Sequence, residues 1–356
     1  MGSASVIPGR CRGGARSLFA NVACFALLVA GTQILARQAS PWNPAAWAAP
    51  WSGDVILVVA GLLFLGLGFL GPLHAGVLNL GIYAQFLAGF SVAAAIVRTP
   101  SIDPAARAGL ALLGGSAAGA LAGAVLLWLR RRFAVHEVVS GLLLGVAMTP
   151  VARALSLTPA ALPALAFELG PVPAALRWTP GLGLGHTFVL TWGILVLSLG
   201  LLLALAFAHV LRTSARGFDL RTVGSNPLAA VAAGVDVDLV QLSMLAAGGV
   251  CAGLAGALQL WTDPAVALER WPLPLAFAGI TIALYGLGSV RGVLIASVAF
   301  ALWLNAPGTL VSLADPRWGT AISLLLVFPA LWNLPRLLPD QGAPRALWRT
   351  RHRETY

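Results

Sequence analysis

Lysine is absent from the 356-residue chain: all 22 of its Lys-plus-Arg residues are arginine. A Walker A phosphate loop needs a lysine, so the chain is not a standard P-loop ATPase. Lysine Schiff-base chemistry is excluded by the same absence. Acids are scarce, with 12 Asp and Glu in all, and none falls in the middle of an apolar run. Carriers driven by ions keep their coupling carboxylates there. The three cysteines, Cys11, Cys24 and Cys251, stand at no metal-ligand spacing from one another or from the five histidines. They read as small apolar residues or free thiols. His74, His136, His186 and His209 lie near the ends of apolar runs, as interfacial or capping histidines do. G-x-S-x-G and H-E-x-x-H are both missing, so no hydrolase or zinc-protease site is legible.

What is present is apolar. Hydrophobic residues make up 59% of the chain and charged ones 10%, with a mean hydropathy of +0.88. Soluble domains run at roughly 45–50% apolar and about 25% charged. The expected fold class is therefore all-α, a polytopic helix bundle in a lipid bilayer. Ten candidate spans follow at 17–36, 54–71, 82–98, 107–129, 137–155, 186–210, 239–260, 275–288, 292–306 and 319–334. Each is judged against the roughly 20 apolar residues that a spanning helix needs. The net charge of +10 and pI near 11.2 belong to membrane topology rather than to nucleic-acid binding.

Arginine placement sets the orientation. With the N-terminus in the cytoplasm, 15 of the 22 arginines fall inside, among them Arg130, Arg131, Arg132, Arg212, Arg216, Arg221, Arg291 and the tail arginines. The remaining 7 (Arg37, Arg98, Arg107, Arg153, Arg177, Arg270 and Arg317) fall outside. Both termini are expected in the cytoplasm. Residues 1–16 read as an N-terminal tail, 17–334 as one transmembrane domain and 335–356 as a basic C-terminal tail. The first span also resembles a signal peptide, but its length favours a retained helix. Trp42, Trp47, Trp51, Trp178, Trp261, Trp271 and Trp318 fall in or beside the outer loops, as an aromatic belt would. The Pro-rich outer segment 156–185 is expected to shape a vestibule.

From Val55 to Val97 the chain has no charged residue. As one helix it would measure about 65 Å, twice the apolar thickness of a bilayer. It must break, and Gly71-Pro72 is the expected place. The connector that follows carries no positive charge although topology puts it on the arginine-rich side. It is expected to stay partly inside the protein, as a broken-helix or re-entrant element near residues 71–82. Asn79, Gly81, Tyr83, Gln85, Phe86 and Phe90 are the candidate lining of a solute path. The alternative is a plain loop with Asn79 capping the next helix. Gly115, Gly119 and Gly123, and Gly249, Gly253 with Ala252 and Gly256, form small-residue steps that permit close helix packing.

The cytoplasmic loop 211–238 carries the clearest local pattern. Asn226 is a favoured N-cap, Pro227 fits the first helical position and Gly234 is a natural stop. A two-turn helix between them is unstable alone and needs a partner surface: a groove on another subunit or the protein's own cytoplasmic face.

That segment, Leu220 to Val235, resembles the cytoplasmic loop of ATP-binding-cassette permeases in the branched-chain amino acid and simple-sugar superfamily, nearest the simple-sugar and nucleoside branch. Matches to the pattern are Leu220, Arg221, Val223, Gly224, Asn226, Pro227, Ala229, Ala230, Ala233 and Gly234. Four further segments resemble the family in order: Asn79 to Gln85, Arg132 to Gly141, Gly248 to Ala257, and Phe277 to Val293. Two departures stand out. Tyr83-Ala84 replaces the usual Glu-Gly, and Gly145 replaces an Asn.

The resemblance implies an importer permease, not an enzyme. Arg221, Gly224, Asn226, Pro227, Ala229, Ala230 and Gly234 would couple to an ATPase subunit. ATP and Mg would be bound by that subunit and no cofactor by this chain. A second permease subunit, as a heterodimer or homodimer, and an extracytoplasmic solute-binding protein are the other implied partners, in the cell membrane. A nucleoside or simple sugar is the expected solute, with a vitamin or amino acid as other fits. The alternative function is a stand-alone facilitator or secondary carrier for a small neutral solute.

Overall fold

A computed structural model describes residues 53–99, 101–102, 104–133, 135, 137–156, 184–261 and 275–304, together with Ala23, Phe25 and Ala26. All regular elements among the described residues are helical. They are α1 (Gly53–His74), α2 (Ile82–Val97), α3 (Pro104–Phe133), α4 (Glu137–Ser156) and α5 (Leu184–Thr213). Then come α6 (Ala215–Ser225), α7 (Pro227–Ala232), α8 (Val237–Leu258), α9 (Leu275–Tyr285) and α10 (Val290–Leu304), with a 3-10 turn Gln259–Trp261 after α8.

Helices occupy the eight expected intervals between 54–71 and 292–306, with ends shifted by about four residues or fewer. Four are long and apolar enough to cross a membrane: Val55–His74, Ala106–Phe133, Gly193–Thr213 and Val237–Leu258. The expected spans 17–36 and 319–334, both tails and most of the outer segment 156–185 lie outside the described residues. Phe25 is an exception in the first of these, tilted against Phe300 at 5.2 Å between ring centroids.

α1 forms the centre of the bundle. It is apolar all round, as a helix enclosed by others must be, and 78% of its span is buried, against 17% for α5. Phe64, Phe69, Leu62, Leu63, Leu65 and Leu70 are closed off from the surface. α5, α8, α9 and α10 pack around α1, while α2 and α3 join through α8. The outward side chains of α5, such as Leu195, Leu202 and Leu205, are exposed, which suits a helix facing hydrocarbon.

The two small-residue steps meet each other. A Cβ on Gly119 would overlap the carbonyl of Gly249, and one on Gly253 would overlap the carbonyl of Gly115. One turn further along α3, a Cβ on Gly123 would stand 2.6 Å from the Leu245 carbonyl. α8 uses other glycines toward its other neighbours: Gly248 toward the Gly68 carbonyl of α1, Gly256 toward the Phe86 carbonyl of α2. In lipid no hydrophobic force draws helices together, so backbone proximity and the dispersion and Cα–H contacts it permits hold the bundle.

The break in the charge-free stretch is a correction to the sequence expectation. α1 runs through Gly71-Pro72 and ends at His74. The chain turns at Gly76, whose φ of +73° suits glycine. The amides of Ala75 and Val77 both donate to the Pro72 carbonyl, at 2.9 and 3.0 Å. Pro72 therefore acts as an acceptor that closes the helix end, not as the breaking point. The connector from Ala75 to Leu80 has no exposed residue, and Ala75, Val77 and Asn79 are buried.

Gly253→Leu is expected to destabilise the bundle by about 1–3 kcal/mol or more through overpacking. Gly61, with open space where a Cβ would go, is the contrast: Gly61→Ala is expected to be neutral or stabilising by up to about 1 kcal/mol. Thermal unfolding in detergent micelles, followed by tryptophan fluorescence, separates the two.

Candidate functional site

The connector is closed by a hydrogen-bond circuit that begins with a missing donor. Proline has no N–H, so Pro72 cannot satisfy the Gly68 carbonyl one turn earlier in α1. Asn79 does so instead: its Nδ2 donates to the Gly68 oxygen at 3.2 Å. The same Nδ2 donates to Gln85 Oε1 at 2.9 Å, and Gln85 Nε2 returns a bond to Asn79 Oδ1 at 3.2 Å. Both side chains are buried. An amide pair so arranged satisfies polar groups that would be costly to leave unpaired in a dry interior.

Asn79 does not cap α2. The capping position is Gly81, which offers no side-chain bond. Gly81 gives room: a Cβ on the facing Gly141 of α4 would lie 2.6 Å from its nitrogen. Phe86 and Phe90 are enclosed in the core, where the α2 backbone beside them lies against Gly256. Tyr83 lies on another side of α2 and is only half-buried. Its hydroxyl is 3.1 Å from Thr149 Oγ1 of α4, and its ring stacks on Phe277 of α9 at 5.7 Å between centroids. Gly145 makes space for that ring, since a Cβ there would stand 2.7 Å from Tyr83 Cδ1. The two departures from the family pattern, Tyr83 and Gly145, thus touch each other.

The loop helix forms as its caps demand. Asn226 Oδ1 accepts from the amides of Leu228 and Ala229, both at 3.1 Å. Pro227 opens α7, and Gly234 follows it with φ +81°. The preceding α6 was not legible as a helix. Its one local signal is Ser214, whose hydroxyl accepts from the Gly217 amide at 2.9 Å. On α7, Ala230 is fully buried while Pro227, Ala229 and the following turn are exposed. Leu228 and Val231 are the large apolar residues of that exposed side, at 43% and 57%. Sequence reasoning passed over both, although a leucine and a valine three residues apart in a small-residue helix were the available signal. Arg221 is exposed on α6.

The connector and the loop helix share a wall. Gly224, at the end of α6, lies against the His74 carbonyl so closely that a Cβ would overlap it. Gly76, at the turn, lies beside the Gly224 backbone. Gln241 of α8 donates from Nε2 to the Ala75 carbonyl at 3.3 Å. α6 and the turn that leads to Asn79 therefore stand in direct backbone contact. Among the described residues no group of His, Cys, Asp and Glu could hold a metal ion.

The described residues thus form an all-helical, membrane-type bundle with a small capped helix exposed on a loop. Residues 51–331 match the family described as the branched-chain amino acid transport system / permease component, and the chain belongs to that family. It is a membrane permease component, not an enzyme. It is 28% identical over 277 residues to the guanosine ABC transporter permease protein NupP of Bacillus subtilis, covering 76% of this chain and 77% of that one. It is 29% identical over 288 residues to the glucose ABC transporter permease protein TsgB13 of Haloferax volcanii, covering 78% and 73%.

Asn79→Leu is expected to leave the Gly68 carbonyl and the Gln85 amide unpartnered, at about 1–3 kcal/mol for each. Pro72→Ala returns an N–H to the Gly68 carbonyl. In that background the loss from Asn79→Leu is expected to shrink by about 1 kcal/mol, measured as a double-mutant cycle on unfolding midpoints.

Proposed function

We propose that this chain is the permease subunit of an ATP-binding-cassette importer in the cell membrane, both termini cytoplasmic, forming a path for a nucleoside or simple sugar. The observation that carries it is α7: a capped helix of six residues with Leu228 and Val231 exposed, following α6, whose Gly224 lies against the His74 carbonyl. A separate ATPase subunit, binding ATP and Mg, docks on that apolar face. Arg221, Asn226, Pro227 and Ala229 frame the contact, while Gly224, Ala230 and Gly234 shape and seat it. The absence of lysine from the chain supports ATP hydrolysis on another subunit.

An extracytoplasmic binding protein delivers the solute, and a second permease subunit completes the path. That second subunit is an unlike chain, in keeping with Tyr83-Ala84 and Gly145 at positions where the family pattern has other residues. Guanosine and glucose, named for the two relatives, are both neutral and hydroxylated, which fits a protein with no charged residue from Val55 to Val97.

Val231→Asp places a charge on the docking face without touching the core. It is expected to lower ATPase co-purification and ATP-driven uptake about ten-fold or more, as loss of a buried apolar contact plus a desolvated charge would. Uptake in proteoliposomes with and without ATP measures the second effect. Uptake that persists after the ATPase is inactivated would favour the stand-alone carrier instead.

A further inference from the structure

The polar side chains of α2 are three: Tyr83, Gln85 and Ser91. Gln85 is buried and paired with Asn79. Ser91 is buried and donates to its own helix at the Leu87 carbonyl, 2.7 Å away. Neither can meet a solute without abandoning a bond in an apolar interior. Tyr83 differs in being half-buried and in facing α4 and α9 rather than the closed glycine contacts of α3 and α8.

Its hydroxyl also has a defined polarity. Thr149 Oγ1 donates to the Gly145 carbonyl at 2.9 Å, so the Tyr83 O–H, 3.1 Å away, donates to Thr149. The phenol oxygen is left with acceptor capacity toward a hydroxyl or N–H donor. The ring cannot swing freely, because Phe277 lies along one side and Gly145 closes against its edge. A fixed acceptor on a neutral, partly buried side chain can select neutral solutes by the O–H or N–H groups they donate.

We propose that Tyr83, set by Thr149, Gly145 and Phe277, is a polar contact that α2 makes with the passing solute, and that it discriminates neutral hydroxylated solutes from counterparts lacking a hydroxyl. Asn79 and Gln85 then hold the helix break, and the solute reads Tyr83. The proposal rests on the importer reading above and names a selectivity element within it.

The test uses the whole transporter in proteoliposomes, with its ATPase and binding protein. The probes are guanosine against 2′-deoxyguanosine and glucose against 2-deoxyglucose. Tyr83→Phe keeps the ring and removes the oxygen. For whichever pair is transported, it is expected to lower the preference for the hydroxylated member roughly five-fold. Thr149→Val, which releases the phenol, is expected to change the preference in the same direction by less. The amount of assembled complex is expected to stay at the wild-type level in both variants. Wild-type transport with an unchanged preference in Tyr83→Phe, even if the rate falls, overturns the proposal alone and makes Tyr83 a packing residue. Wild-type vesicles that move none of the four probes faster than protein-free vesicles overturn the solute class and the proposal with it. ATP-independent uptake overturns the importer reading.

Discussion

Helices in hydrocarbon gain nothing by hiding apolar side chains from one another, because the lipid is as apolar as they are. What remains is how closely their backbones approach, and that is governed by the absence of a Cβ. α8 concentrates this constraint. Within three turns, Gly248, Gly249, Gly253 and Gly256 meet backbone of α1, α3 and α2. No side chain larger than hydrogen fits at those points, so the mutual placement of four helices follows from a few adjacent residues. The enclosure of α1 and the burial of the connector after it depend on that placement. The residues that assemble the bundle therefore also fix where the helix break lies.

The parts legible in the sequence were those set by local or compositional physics. Apolar runs of spanning length located the helices, and the Asn226-Pro227 start with Gly234 at the stop located α7 by capping chemistry alone. The small-residue steps at Gly115 to Gly123 and Gly249 to Gly256 were visible too, though not that they face each other. The turn after α1 was displaced because its chemistry is not local. The proline does not end the helix, because the carbonyl it orphans is satisfied by Asn79, eleven residues further on from Gly68. The setting of Tyr83 was illegible for the same reason. Thr149 lies 66 residues away in sequence, Phe277 farther still, and no pattern within α2 foretells either. Phe86 and Phe90 drew attention as aromatics, yet the α2 backbone beside them is where Gly256 allows α8 to close in.

Neighbourhood explains how a loop outside the apolar core can matter to residues inside it. Gly224 touches the His74 carbonyl, and Gln241 holds the Ala75 carbonyl. The contacts are to consecutive backbone carbonyls, at the last residue of α1 and the first of the connector. A side-chain contact can be lost by rotating about χ1; a backbone-to-backbone contact at glycine yields only if the elements themselves separate. The end of α6 and the end of α1 are thus joined backbone to backbone.

The carbonyl of Gly68 has a further consequence. In an unbroken helix, bending at that level would strain or rupture the bond from the next turn. Here that bond never existed, and the oxygen is held by an amide at the end of a rotatable side chain. The turn of α1 at this level is consequently held by the Asn79 amide rather than by its own backbone, on the helix that also lies against Gly248 of α8. The most enclosed helix of the bundle is thus tied, near its C-terminal end, to the chain that follows it through one absent hydrogen.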